Sequence, residues 1–142
     1  MTDDDIRRIL TDVNRIALVG ASANPARPSN GVGQFLAARG YEVHPVNPGL
    51  AGQSLFGRTV VARLPDLSDD IEMLDIFRRS DAVPAVVEEA LDVMPSLRVV
   101  WMQLGVVSPE AAAMAEANGV EVVMDRCPKI DIPRLGIERR AT

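Results

Sequence analysis

The sequence predicts an α/β domain of the Rossmann-like, doubly wound type, with a mostly parallel five-stranded sheet and helices on both faces. Three observations predict it. Five short apolar runs, at Ile16–Val19, Tyr41–Asn47, Ile71–Phe77, Arg98–Leu104 and Val120–Met124, are mostly continuous rather than alternating, as in strands buried on both faces. Helix-like stretches with start and stop signals separate most of them, which is the order of a parallel sheet with crossover helices. The segment Arg15–Gly40 reads as strand, glycine turn, arginine-bearing loop and helix. In such folds this is an anion site, because the unpartnered N–H groups of the helix start point outward.

Taken in order, Thr2 caps a first helix whose opening turn, Asp3–Asp5, suits the positive end of the helix dipole. Ile6, Ile9, Leu10 and Val13 share one face of it. The first strand ends at Gly20. Ser29 or Asn30 then caps a helix over Gly31–Ala38 that Gly40 terminates. Pro45 in the second run suggests that pairing stops near its carboxyl end. Residues 52–64 read as a loop with a short β-branched excursion, and Leu64–Leu67 as a turn into the third strand. Ser80 or Asp81 caps a helix carrying Val83, Val86, Val87, Ala90, Leu91 and Met94, and Pro95 breaks it. Ser108-Pro109-Glu110 is a strong helix start, and that helix stops at Asn118-Gly119. The chain beyond Leu135 is charged, and residues 136–142 are expected to fray.

With 142 residues, 47% of them hydrophobic and 25% charged, residues 1–142 fit a single domain. A net charge of -5 argues against general affinity for nucleic acid or anionic membrane, although Arg27, Arg78 and Arg79 can still form one basic pocket. No apolar run approaches the roughly 20 residues that cross a bilayer. The acidic opening Thr2–Asp5 is unlike a signal peptide, so a cytoplasmic protein is expected. One cysteine, Cys127, allows no internal disulfide, and one histidine, His44, provides no Cys/His cluster for zinc. No motif supports a catalytic triad on His44.

Ligands of doubly wound sheets bind beyond the carboxyl ends of the strands. That rule selects Gly20–Ser29, Val46–Gly49, Phe77–Ser80, Gln103–Val106 and Asp125–Pro128. The dinucleotide fingerprint needs three spaced glycines and an acidic residue after the second strand, and the chain has Gly20-Ala21-Ser22 and Val46-Asn47-Pro48 instead, which disfavours NAD. The phosphate loop ending in Gly-Lys-Ser/Thr is also absent. What remains is a turn offering N–H groups to a pyrophosphate, aided by the Ser22 hydroxyl and by Arg27.

Five motifs in order carry a family resemblance. They are Gly20-Ala21-Ser22 with Pro25, Arg27 and Ser29; Val46-Asn47-Pro48; Phe77-Arg78-Arg79-Ser80; Trp101-Met102-Gln103-Leu104-Gly105; and Asp125-Arg126-Cys127-Pro128. From about Ile6 to Leu135 the chain resembles the small stand-alone CoA-binding proteins. Their domain is similar to the amino-terminal domain of the succinyl-CoA synthetase α subunit and of ADP-forming acyl-CoA synthetases. The resemblance implies that Gly20, Ala21 and Ser22 form the pyrophosphate turn, with Arg27 and Ser29 as further phosphate contacts. It implies a wall of Val46, Asn47 and Pro48 beside the adenosine. Phe77, Arg78, Arg79 and Ser80 would cover the adenine or phosphate side, and Gln103 and Gly105 would line the pantetheine path. The ligand implied is coenzyme A or an acyl-CoA, whose 3′-phosphate and pyrophosphate suit guanidinium groups.

The chain departs from the larger enzymes in two respects. Leu50 follows Pro48-Gly49 where a lysine often stands, and His44 does not match their phosphorylated histidine. The expectation is therefore a non-catalytic carrier, sensor or regulatory module, not an enzyme. Two alternatives remain open: a redox or catalytic role of Cys127 with the CoA thiol, and a regulatory subunit of an acyl-CoA enzyme. A homodimer or a protein partner is compatible with either. Each residue also has a plainer reading: Arg78 and Arg79 as solvated charges, Gln103 as a structural hydrogen-bonding group, Phe77 and Trp101 as core, and Cys127 as a small buried hydrophobe.

Overall fold

The computed structural model describes residues 1–138. In chain order the elements are α1 (Asp3–Asp12), β1 (Arg15–Val19), α2 (Pro28–Ala38), β2 (Glu42–Val46), β3 (Ser54–Leu55), β4 (Arg58–Thr59), β5 (Met73–Ile76), α3 (Val83–Val93), β6 (Val99–Met102), α4 (Pro109–Ala117), β7 (Glu121–Val123) and α5 (Pro128–Arg134). The main sheet has the order β2-β1-β5-β6-β7, with every pair parallel. This is the expected Rossmann-like α/β fold.

Strand alternation divides the core between the two faces. On one face Leu18, Met73 and Trp101 pack with Ile6, Ile9 and Leu10 of α1, Val32 and Leu36 of α2, and Ile132 of α5. On the other, Ala17, Leu74, Ile76, Val100 and Met102 pack with Val83 and Val87 of α3 and Ala111 and Ala115 of α4. The chain leaves β1 for β2 on one side and later enters β5 on the other side of β1. The strand order therefore reverses between β1 and β5, which opens a crevice at their carboxyl ends.

Local signals explain most boundaries. Thr2 and Asp5 form the reciprocal capping box of α1, and the Ser108 hydroxyl accepts the Ala111 N–H at 3.2 Å ahead of Pro109. Pairing of β2 stops at Val46, near the carboxyl end of its run as expected, and Pro45 itself pairs in register with Leu18. It is tolerated because β2 is an edge strand of the main sheet and the Pro45 carbonyl points outward, where it accepts the Val61 N–H at 3.1 Å.

Five points differ from these expectations. Helix α2 begins at Pro28, so Ser29 and Asn30 are buried inside its first turn rather than capping it. Ser80 opens a 3₁₀ turn, Ser80–Ala82, and no side chain caps α3. The 52–64 excursion contains a hairpin, β3 paired antiparallel with β4. Residues 128–134, which carried no assigned element, form α5, with Pro128 at its first position and Pro133 inside it. Of the tail expected to fray, Gly136 and Ile137 close α5: the Ile137 N–H donates to the Ile132 carbonyl at 3.0 Å, and the Ile137 side chain joins the core. The rest of that tail, 139–142, lies outside the described residues.

Candidate functional site

The crevice begins at Gly20. Its φ of +86° is a conformation that favours glycine, and a Cβ built there would lie 2.5 Å from the Phe77 carbonyl oxygen. Glycine at the end of β1 is therefore required for β5 to approach, whatever else binds there. The N–H groups of Gly20 and Ala21 both donate to the Val46 carbonyl, at 3.1 and 3.3 Å. This corrects the expectation that these two amides receive a phosphate, because they already tie β1 to β2. The donors left are those beyond Ala21: the Ser22 hydroxyl and the first turn of α2, whose N-cap position, Arg27, makes no side-chain cap. Asn30 joins turn to helix, its Nδ2 donating to the Ser22 carbonyl at 2.8 Å.

Around this turn lies a cleft of about 670 Å³, within the usual range of ligand sites. Of the residues singled out in the sequence, Gly20, Ala21, Ser22, Arg27 and Ser29 line one side. Asn47, Phe77, Arg78, Arg79, Gln103 and Gly105 line the rest. Asn47 also lines an adjoining cleft of about 430 Å³ on the α3 side, together with Val46 and Pro48; Gly20 and Arg78 are common to both clefts. Ser80 lines neither. Its hydroxyl instead accepts the Val107 N–H at 3.0 Å, holding the loop after β6. Asp125, with φ of +59°, holds the same loop by accepting the Gly105 N–H at 2.7 Å.

Of the other lining residues, Leu104, Val106 and Cys127 fall within the strand-end stretches selected from the sequence, whereas Val32 lies outside them. Val32 could have been found, since it stands one turn after Ser29 on α2. Cys127 lines the cleft yet is buried and belongs to the core. In the smaller cleft, Arg63 and Glu89 also escaped notice; they pair with each other at 3.2 Å.

The larger cleft is lined by three arginines and by no aspartate or glutamate, in a chain with a net charge of -5. Arg79 makes a loose contact with Asp81 at 3.5 Å, both side chains being well exposed. Among the described residues neither Arg27 nor Arg78 forms an ion pair. Two unneutralised guanidiniums beside an uncapped helix start are complementary to a polyanion. Val32, Phe77, Leu104 and Val106 give the same lining an apolar part.

Two buried polar groups stand near the strand ends. Gln103 is 4% exposed, and its Oε1 has no hydrogen-bond partner among the described residues. Asp75 is fully buried between Leu18 and Trp101 in the sheet register, and among the described residues neither of its oxygens has a partner. Burial pushes its carboxyl well above the ordinary carboxylate range. Among the described residues no three His, Cys, Asp or Glu side chains are placed to hold a metal ion, and no helix is long and apolar enough to cross a membrane.

By fold, and by the position and charge of its cleft, the protein is of the doubly wound α/β class that offers a strand-end crevice to an anionic ligand. More particularly, the chain belongs to the CoA binding domain family, whose model matches residues 14–133. It is 37% identical over 126 residues to the uncharacterized protein YneT of Bacillus subtilis, spanning 89% of this chain and 90% of that one. A hypothetical protein from Pyrococcus horikoshii superposes with a TM-score of 0.88 at 38% identity, over 95% of this chain and 92% of that one. A dinucleotide-forming acetyl-coenzyme A synthetase from Ca. Korarchaeum cryptofilum shares the fold over 84% of this chain and 27% of its own length, with a TM-score of 0.65 and 20% identity.

Proposed function

We propose that the protein binds coenzyme A or an acyl-CoA in the larger cleft and serves, without catalysis of its own, as a carrier, sensor or regulatory module in the cytoplasm. The observation that carries this reading is the cationic, carboxylate-free lining at the switch point of a chain from the CoA binding domain family. A ligand with a pyrophosphate and a 3′-phosphate neutralises Arg27 and Arg78, and the apolar part of the lining suits an aliphatic arm. Asn47 supports CoA over NAD. It stands where an NAD protein carries its ribose-binding acid, and its side chain is already engaged: Nδ2 donates to the Ala21 carbonyl at 2.7 Å and Oδ1 accepts the Gly49 N–H at 2.8 Å. The absence of catalysis is supported by the position of His44, which lies within β2 and pairs with Glu42 at 2.9 Å rather than facing the cleft.

Calorimetry with CoA, 3′-dephospho-CoA and NAD tests the proposal. The expected order is CoA tightest, dephospho-CoA weaker and NAD weakest; no binding of CoA, or tighter binding of NAD, overturns it. The position of Cys127 in the lining favours one second reading. Its thiolate would attack oxidised CoA, forming a Cys127–CoA disulfide and releasing one CoA thiol. Intact mass after incubation with oxidised CoA decides this, because an unmodified chain excludes it.

A further inference from the structure

The hairpin formed by β3 and β4 is held by an unusual residue. Phe56 and Gly57 are the central pair of its turn, and both have positive φ, +56° and +79°. A turn of this kind ordinarily takes Asn-Gly or Asp-Gly, and a bulky side chain at positive φ is strained. The strain is sustained by what the ring touches. Phe56 packs tip-first on Gly33 of α2, where a Cβ would overlap the ring and lie 2.6 Å from its Cε2. Glycine inside a helix is less favourable than alanine, so both partners are locally unfavourable and are accounted for by this contact.

Both sides of this contact lead to the candidate site. The hairpin sits at the tip of the 47–64 excursion. Near its two ends, the Asn47 N–H donates to the Val61 carbonyl at 2.9 Å, and the Val61 N–H donates to the Pro45 carbonyl at 3.1 Å. Further out, the Gly52 N–H donates to the Val60 carbonyl and the Val60 N–H to the Gln53 carbonyl, at 2.9 and 2.8 Å. The excursion is thus a closed strap whose root carries Asn47 and Pro48 on one limb and Arg63 on the other, all of which line the clefts. On the helix side, Gly33 lies one turn after Ser29 on the same face and next to Val32, and both of these line the larger cleft.

We infer that Phe56 is a positioning residue for the ligand cleft: its ring, seated on Gly33, buckles the Asn47-bearing strap to α2 and fixes the spacing between the two walls. The ordering of the strap then precedes ligand binding instead of being charged to it. The inference rests on the reading of the cleft as a CoA site, and its test separates the two.

The variant is Phe56→Asn, which provides the residue the turn prefers and removes only the ring. It is expected to keep the unfolding temperature of the free protein within a few degrees and to lower CoA affinity by about tenfold. In the free protein, amide exchange should quicken both at 54–59 and in the first turns of α2. Phe56→His, a flat ring at a residue type that accepts positive φ, should recover most of the affinity. Unchanged CoA affinity in Phe56→Asn, or exchange unchanged in α2, overturns the inference, and so does an affinity loss that Phe56→His does not relieve. Should Phe56→Asn fail to fold, Gly33→Ala applies the same test, since it displaces the ring while improving the helix. If the wild-type protein binds no CoA, the function reading falls, and the exchange of α2 alone decides the strap.

Discussion

The two ends of the sheet carry the same residue type in opposite circumstances. At the amino ends of the strands four arginines have carboxylates from this chain: Arg15 with Glu42 and Asp70, Arg58 with Glu42, Arg98 with Glu72, and Arg8 with Glu121. At the carboxyl ends Arg27 and Arg78 have none among the described residues, and the cleft they line holds no acid. The comparison teaches that an arginine is informative through its partner. Where the fold supplies the anion, the charge ties strand ends together. Where it does not, the electrostatic free energy is left for a ligand.

Four variants break or sharpen that contrast. The largest effect is expected from Gly20→Ala. The forced positive φ and the overlap with the Phe77 carbonyl should cost about 2–4 kcal/mol in denaturant unfolding. CoA binding should be lost with it, whereas an ordinary stability would show that the β1–β5 approach is adjustable. Arg78→Ala comes next. CoA affinity should fall about tenfold, with a shallower dependence on salt and no change in the stability of the free protein. An unaltered affinity removes Arg78 from the site.

Asp75 lies between the two ends, and Asp75→Asn acts through pH. Because burial raises its folded-state affinity for a proton, the unfolded chain releases that proton first, and the residue destabilises the fold increasingly as pH rises above the ordinary carboxylate range. The variant should therefore be more stable than the parent at neutral pH, with the gain vanishing in acid; parallel stability–pH curves would refute this. The smallest effect belongs to Glu42→Gln at the amino end. His44 first, then Arg58 and Arg15, hold the Glu42 carboxyl below its ordinary range. Its stabilisation is thus present at neutral pH and lost as pH falls through the lowered value. With the site partly exposed, the loss on substitution is about 0.2–1 kcal/mol at low salt, and ligand affinity should not move.

Much of this was legible in the residues. The main-sheet strands follow from apolar runs, and the strand-end rule picks out most of the larger cleft, because backbone burial and chain reversal are dictated by local pattern. What escaped depends on contacts distant in sequence. Phe56-Gly57 does not read as a hairpin turn, since its conformation is sustained by Gly33. Ser80 reads as a helix cap, but a loop from the next strand takes its hydroxyl. The engagement of the Gly20 and Ala21 amides by Val46 requires the register of β1 against β2, which no spacing reveals.

The outward-facing side of β2 bears on solubility. An open strand edge invites another chain to extend the sheet, the first step toward fibrous aggregates. Here Pro45 has no N–H to offer, its carbonyl is occupied by Val61, and the Asn47 N–H is taken by the same residue. The excursion that shapes the cleft therefore also blocks this border of the sheet against recruitment of a second molecule.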